Sequence, residues 1–275
     1  KRAILEQQRG GASLGRPDQE IVEKDGRYEL LRRRPLAAEG WNAQISLLTG
    51  MAAATIMLEG GIGILRTMPP PDAEAIDTFR LRARALGHPW AVDTSYGAYL
   101  RTLDPDDPRQ LAIMHAAASL FRGAGYTAFD GTPPAETTQS AVAAPYAHTT
   151  APLRRLVDRF VLVVCEALAN GRQIPEWARI SLPELPHLMA ASDNLAGQLD
   201  HATISAVEAA ALSTRIGEIF EATVVRERKG GGDIQLDELA VTARCDGTLV
   251  AGDVIQATLV TADIASGTVL FQVRG

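Results

Sequence analysis

Basic charge is in deficit in this sequence of 275 residues, where 27 Lys and Arg face 33 Asp and Glu. The net charge of −6 and the pI near 5.4 exclude a global basic field for nucleic acid. Any RNA contact must therefore come from local basic clusters in a groove. Cysteine is scarce, with only Cys165 and Cys245, and neither has a cysteine neighbour at metal-ligand spacing. Cys165 follows the apolar run Val161-Leu162-Val163-Val164 and reads as a buried, inert thiol. The five histidines are scattered and suggest no zinc site. No signal peptide and no membrane-length apolar run is present, so a cytoplasmic protein is the default. Gly61-x-Gly63 lacks the third glycine of a dinucleotide loop. No internal repeat is evident. The start, Lys1-Arg2-Ala3-Ile4-Leu5, has no Met and reads as a chain entered partway through an element.

What is present is enough apolar material, 46% of residues, for a large domain or for a domain plus a small one. Trp41, Ile45, Leu48, Ala52 and Ile56 recur at helical spacing, with Trp41 heading a core stripe and Gly60-Gly61 ending it. Ile62 to Leu65 form a short apolar segment, followed by Arg66-Thr67-Met68 and a rigid triple proline, Pro69 to Pro71. Asp72 is placed to cap a helix with Ile76, Phe79, Ala83 and Leu86 inward, stopped by Gly87. Residues Asp106 to Arg122 predict another helix, with Leu111, Met114, Ala118 and Phe121 inward. Residues 123–145 read as a surface loop with a short strand at Tyr126 to Phe129. Pro152 to Asn170 predict a helix whose apolar face is Leu153, Leu156, Val157, Phe160, Val161, Val164 and Leu168. A further long helix is expected from Leu188 to Ser213.

Composition changes at Gly217. Beyond it β-branched and polar residues alternate in five short runs: Glu218 to Val225, Asp233 to Leu236, Ala240 to Arg244, Val254 to Ala262 and Thr268 to Val273. Turn residues such as Gly230-Gly231-Gly232 and Asp246-Gly247 separate them. This predicts a small five-stranded barrel of the oligonucleotide-binding (OB) class. Its aromatics, Phe220 and Phe271, alternate as core positions do, so base stacking is not expected. Arg226, Arg228 and Lys229 at the first hairpin either track a phosphate backbone or form a solvated tip.

The segment Tyr146 to Arg159 reads Tyr-Ala-His-Thr-Thr-Ala-Pro-Leu-Arg-Arg-Leu-Val-Asp-Arg. Pro152 fits a first helical turn, with Thr150 or the next residue as N-cap. Arg154 and Arg155 would then lie in that first turn, where the helix already carries partial positive charge. Cations stacked there make sense if a phosphate occupies the site, held by free N–H groups, a threonine hydroxyl and two guanidinium groups. The alternative is that both arginines are solvated or paired, with Asp158 one turn on from Arg154.

This segment resembles the signature of the ribonuclease II and ribonuclease R family, approximately Tyr-x-His-x-Thr-Ser-Pro-Ile-Arg-Arg-Tyr-x-Asp. Tyr146, His148, Thr150, Pro152, Arg154, Arg155 and Asp158 match in register. The run Trp41 to Ala52, the Leu65-Arg66-Thr67-Met68-Pro69 element and Gly125-Tyr126 resemble further family elements. The resemblance implies an α+β chain. Residues 1–214 would be the mostly helical C-terminal part of an RNB-type catalytic domain, and residues 215–275 an OB-type RNA-binding barrel. It implies a 3′-to-5′ hydrolytic exoribonuclease that degrades single-stranded RNA to nucleoside monophosphates with two Mg2+ ions. Arg154 would contact the scissile phosphate as the catalytic group. Arg155, Thr150, His148, Tyr146, Arg66, Arg226, Arg228 and Lys229 would bind RNA. For His148 and Tyr146 the alternatives are a structural hydrogen bond and packing; for Arg66, a surface position.

Departures accompany the match. The family's aspartate cluster for metal is missing; Asp104, Asp106 and Asp107 read as helix-entry caps. The metal ligands are expected upstream of Lys1, in a missing N-terminal part that would partner this one. The family has a glutamate pair where Ala43 and Gln44 stand, a Ser where Ala151 stands and an aromatic where Leu156 stands. Its Gly-His-Phe-Gly element is poorly matched around Gln139 to Ala143. These changes suggest a divergent branch with altered substrate handling or weaker activity, and the loss at Ala43 with the missing acids motivates a second reading, a non-catalytic RNA-binding or scaffold protein on the same fold.

Overall fold

In a computed structural model that describes residues 1–14, 18–24, 27–33, 35–236, 239 and 241–274, the chain begins with α1 (Arg2–Arg9). A ribbon of β1 (Asp18–Lys24) and β2 (Arg27–Arg33) follows. Then come α2 (Ala37–Gly60), β3 (Ile62–Thr67), α3 (Ala73–Ala85), α4 (Tyr96–Leu100) and α5 (Pro108–Ala117). A 3-10 turn (Ala118–Leu120) leads to β4 (Gly125–Asp130) and the two-residue strands β5 (Thr138–Gln139) and β6 (Ala144–Pro145). The helices α6 (Leu156–Ala169), α7 (Glu176–Ser181) and α8 (Leu185–Leu212) precede β7 (Ile219–Arg228), β8 (Gly231–Leu236), β9 (Thr242–Asp246), β10 (Val254–Asp263) and β11 (Thr268–Val273). Sequence periodicity had pointed to neither the β1–β2 ribbon nor the short helices α1, α4 and α7.

Glu39 starts α2 by accepting the backbone N–H of Leu36 at 2.6 Å, and Gly61 ends it in a left-handed conformation. Its buried residues are Gly50, Ala53, Ala54 and Met57. The expected core stripe lies on the other side: Trp41 is 72% exposed, and Ile45 and Leu48 are exposed with it. The helix is apolar on both faces, so periodicity could not choose between them. The small residues admit α6 and the Tyr146–Ala147 segment at close range, and that decides which face is covered.

The strands β3 and β4 pair antiparallel, with Ile64 and Leu65 buried beneath them against Met57, Val157, Val161 and Val164. The strand expected at Tyr126 is therefore present. Asp72 caps α3 by accepting the N–H of Ala75 at 2.7 Å, as expected. Phe79, Leu100, Ile113 and Met114 build a second core among α3, α4 and α5. The helix expected to continue to Arg122 tightens to 3-10 geometry at Ala118. The tighter winding leaves Ala118 exposed and turns Leu120 inward.

In α6 the expected start at Pro152 is wrong. Residues 152–154 form a turn, and helical structure begins at Leu156. Leu153 is fully exposed and Leu156 exposed, so neither belongs to the core face. α8 starts three residues earlier than expected. It seats Leu185 and Met189 in the core beneath β3 and β4, and Leu212 in the barrel core. Between these ends residues 190–203 are exposed on every side, so α8 bridges the helical part and the barrel.

The five C-terminal strands close a barrel in the order β10-β11-β9-β8-β7, with β9 and β11 parallel and the other pairs antiparallel. The mixed α+β chain with its OB-type barrel is the expected class. Phe220 and Phe271 meet edge to face in the barrel core, 5.6 Å apart and almost wholly buried. Each contributes about 1.5–3 kcal/mol by leaving water. The third strand was expected at Ala240 to Arg244 and is found at Thr242–Asp246; Ala240 itself lies outside the described residues.

Candidate nucleic-acid interface

The Tyr146–Ala147 segment is held on two sides. The N–H of Arg66 on β3 donates to the carbonyl of Tyr146 at 2.8 Å, and the N–H of Ala147 donates to the carbonyl of Gly50 on α2 at 3.1 Å. Gly50 has no side chain to spare, since a Cβ there would lie 2.2 Å from Cε2 of Tyr146. Tyr146 is buried by this packing. Its ring meets His148 edge to face at 5.5 Å. The β3–β4 register sets Arg66 opposite Tyr126, and the guanidinium carbon of Arg66 stands 4.6 Å from the centre of the Tyr126 ring. The hydroxyl of Tyr126 lies 2.7 Å from Nδ1 of His148.

Asp158 explains why the helix starts late. It is fully buried in the first turn of α6, where a carboxylate complements the helix N-terminus. It accepts the N–H of Ala151 at 2.8 Å and both Nε and a terminal nitrogen of Arg155, each at 2.8 Å. The carbonyl of Ala151 takes the N–H groups of Arg154 and Arg155. The segment is thereby locked as a turn, and Arg155 becomes the N-cap in an extended conformation. Thr150 is not the cap; it is exposed. Asp158 neutralises Arg155 and not Arg154, because only Arg155 is directed back toward the buried carboxylate. Arg154 is exposed, and its side chain has no partner among the described residues.

The structure thus brings together Tyr146, His148, Arg154, Arg155 and Arg66, and it adds Tyr126 and Thr149, which the sequence reading missed. Burial drives the pKa of His148 down to about 4, with Arg155 and Arg66 acting in the same direction. His148 is therefore neutral near pH 7. Burial likewise raises the hydroxyl pKa of Tyr126 and of Tyr146. The hydroxyl of Thr149 is buried with no hydrogen-bond partner among the described residues, an arrangement that costs about 1–3 kcal/mol. Register with the β3–β4 ribbon was the one signal that could have marked Tyr126. Arg66, stacked on Tyr126, and Arg154 have no acid partner among the described residues, and beside a neutral imidazole they make a site suited to a phosphate.

The comparisons cover the barrel by sequence and the whole chain by fold. Residues 218–274 match the family model of the RNase II-type exonuclease C-terminal S1 domain. The barrel is thus S1-like by sequence as well as by topology. The whole chain has the fold of the C-terminal part of RNase R from Mycoplasma genitalium in its apo form. The TM-score is 0.82 at 15% identity over 99% of this chain and 48% of that one. It is also similar to an active-site mutant of the Dss1 exoribonuclease from Candida glabrata, with a TM-score of 0.73 and 12% identity over 100% of this chain and 34% of that one. Yeast Ssd1, a pseudonuclease, is similar at a TM-score of 0.63 and 19% identity over 76% of this chain and 27% of that one. The chain therefore spans about half the length of RNase R and about a third of Dss1. No curated protein sequence matches. The resemblance read from Tyr146 to Asp158 and the barrel agrees with these findings.

On the S1-like barrel, Arg226 and Arg228 share Asp233, at 3.6 and 2.8 Å. Lys229 is exposed at the hairpin tip. The hairpin is not part of the Arg154 cluster; Arg226 instead lines a cleft against α3 with Arg82 and Arg122.

The family resemblance also implies metal ions, and the residues present do not fit them. No group of three or more His, Cys, Asp or Glu side chains is placed to hold a metal among the described residues. Asp107 caps α5 by accepting the N–H groups of Arg109 and Gln110, and Asp104 accepts the N–H of Asp106. Gln44 donates to the buried carboxylate of Glu6 on α1, which also accepts the hydroxyl of Ser13, so that acid serves packing. Among the described residues no helix is long and apolar enough to cross a membrane.

Proposed function

We propose that this chain is the C-terminal part of a 3′-to-5′ hydrolytic exoribonuclease and that it grips the phosphate backbone of single-stranded RNA. Arg154 is the catalytic group: it is exposed, carries no acid partner among the described residues and stands on the signature turn. That freedom, beside Arg66 stacked on Tyr126 without an acid partner among the described residues, is the observation that carries the reading. A guanidinium so placed binds the non-bridging oxygens and stabilises charge as the scissile bond breaks. Tyr146 and His148 wall the site, and Thr150 borders it. Arg155 acts through Asp158, by holding the turn that presents Arg154. On the barrel, the exposed Lys229 with Arg226 and Arg228, which share one aspartate between them, follows the backbone by charge alone. The carboxylates for Mg2+ belong outside the described residues. RNase R, whose fold this chain shares, has been seen with single-stranded and double-stranded RNA.

The test is binding of a fluorescein-labelled oligouridylate, followed by anisotropy from low to moderate salt. Affinity falls with salt, and Arg154→Ala flattens the slope of log K against log salt by about 0.7, the loss of one phosphate contact. In a longer parent protein supplied with Mg2+, the same change lowers kcat by about 10²- to 10³-fold. Unchanged slope and unchanged degradation would sink the assignment.

A second reading is a non-catalytic RNA-binding protein. The shared fold with the pseudonuclease Ssd1 supports it. It predicts RNA binding with no Mg2+-dependent degradation, even by the longer protein.

A further inference from the structure

Tyr126 touches both Arg66 and His148, and the two contacts use different parts of the side chain. The ring carries the guanidinium of Arg66 at 4.6 Å. The hydroxyl reaches Nδ1 of His148 at 2.7 Å. A ring nitrogen that accepts a hydrogen bond is unprotonated, so the proton of a neutral imidazole then sits on Nε2. Nε2 has no partner among the described residues.

The charges around His148 favour a neutral imidazole over an imidazolium. Arg66 on β3 and Arg154 and Arg155 on the turn all oppose an imidazolium. Asp158 on α6 is the opposing acid, and Arg155 already engages it. Tyr126 and Tyr146 present rings on two further sides. A neutral histidine is thus a directional donor that adds no charge to a site already holding two cations without an acid partner among the described residues.

We propose that Tyr126 is the positioning residue of this site: its hydroxyl sets His148 as an Nε2–H donor and its ring aims Arg66, so that both donate to one phosphodiester. The phosphodiester rests on the RNA reading above; the tautomer does not. Arg66 supplies charge and His148 supplies direction. The two contributions therefore separate by salt. Loss of Arg66 changes the salt slope of binding, whereas loss of the His148 bond lowers affinity at every salt concentration alike.

Long-range proton–nitrogen NMR spectra of the chain without RNA read the tautomer directly. The expected result at pH 7 is His148 as the Nε2–H form. Tyr126→Phe keeps the ring and removes the hydroxyl. It is expected to mix the two tautomers and to weaken oligouridylate binding by roughly 2- to 12-fold, the worth of one neutral hydrogen bond, with the salt slope intact. Tyr126→Leu, which also removes the seat of Arg66, is expected to flatten the slope as well. Between pH 5.5 and 8 wild-type affinity stays level, since His148 does not titrate there. An Nδ1–H or doubly protonated His148 at pH 7, or a Tyr126→Phe chain with unaltered tautomer and affinity, overturns the proposal. An Nε2–H tautomer in a chain that binds no oligouridylate refutes the RNA reading, while the positioning of His148 by Tyr126 stands.

Discussion

Asp158 takes the guanidinium of Arg155 and leaves that of Arg154 to solvent. Two adjacent arginines in one motif thereby receive different work, one structural and one open to ligand. Truncating one member of a buried pair strands the other charge, at a cost of about 3–5 kcal/mol. Arg155→Ala should therefore lower the urea midpoint strongly. Arg154→Ala should shift stability by no more than about 0.5 kcal/mol. Equal losses from both would refute the division.

Gly50 is the close approach between α2 and the Tyr146 segment. A methyl group has no room there, and overpacking of this kind costs about 1–3 kcal/mol. Gly50→Ala is expected to lower the melting temperature and to weaken RNA binding together, because it pushes Tyr146 and its neighbours off their seat. A melting temperature equal to the wild type would place the two elements further apart than described.

His148 links stability to pH. Its pKa falls from 6.5 to about 4 on folding, so between these values the unfolded chain binds more protons. The stability it contributes is full above pH 6.5 and is lost as pH falls toward 4. Compared with His148→Gln, the wild type should lose more unfolding free energy between pH 7 and pH 4.5 in urea titrations. Carboxylates titrate in both proteins, so the difference isolates this residue. Parallel profiles would contradict the buried neutral imidazole.

Thr149 buries a hydroxyl with no partner among the described residues. Thr149→Val removes that hydroxyl at nearly constant shape. It is expected to raise stability by about 1 kcal/mol in chemical denaturation. A loss of stability instead would show that the hydroxyl is satisfied in solution.

Trp41 lies on the exposed face of α2. Trp41→Ser should leave the melting temperature within a degree or two and remove an iodide-quenchable part of the fluorescence, while Trp90 stays protected by Phe79 and Tyr96. A strongly destabilised variant would restore Trp41 to the core.

Much of this protein could be read from local pattern. The caps at Asp72 and Asp107 use side chains within three residues of the N–H groups they satisfy, so short-range chemistry places them. The barrel strands alternate with period two, and the turn residues between them set their limits. The spacing from Tyr146 to Asp158 named the site. What pattern could not decide was anything settled by a partner distant in sequence. Both faces of α2 are apolar, and only the arrival of α6 and Tyr146 selects the small-residue face over Trp41. Pro152 suits a helix start, yet the buried carboxylate of Asp158 holds residues 151–155 as a turn and delays the helix to Leu156. Tyr126 is an ordinary strand residue until β3 pairs with β4 and sets it beneath Arg66 and against His148. The sequence alone determined which residues of the Tyr146 to Asp158 motif bring charge and hydrogen bonds to this site. The tertiary structure decided which of them are engaged and which are free, because the burial that fixes Asp158 beneath the turn and the packing of Tyr126 depend on neighbours that no local window contains.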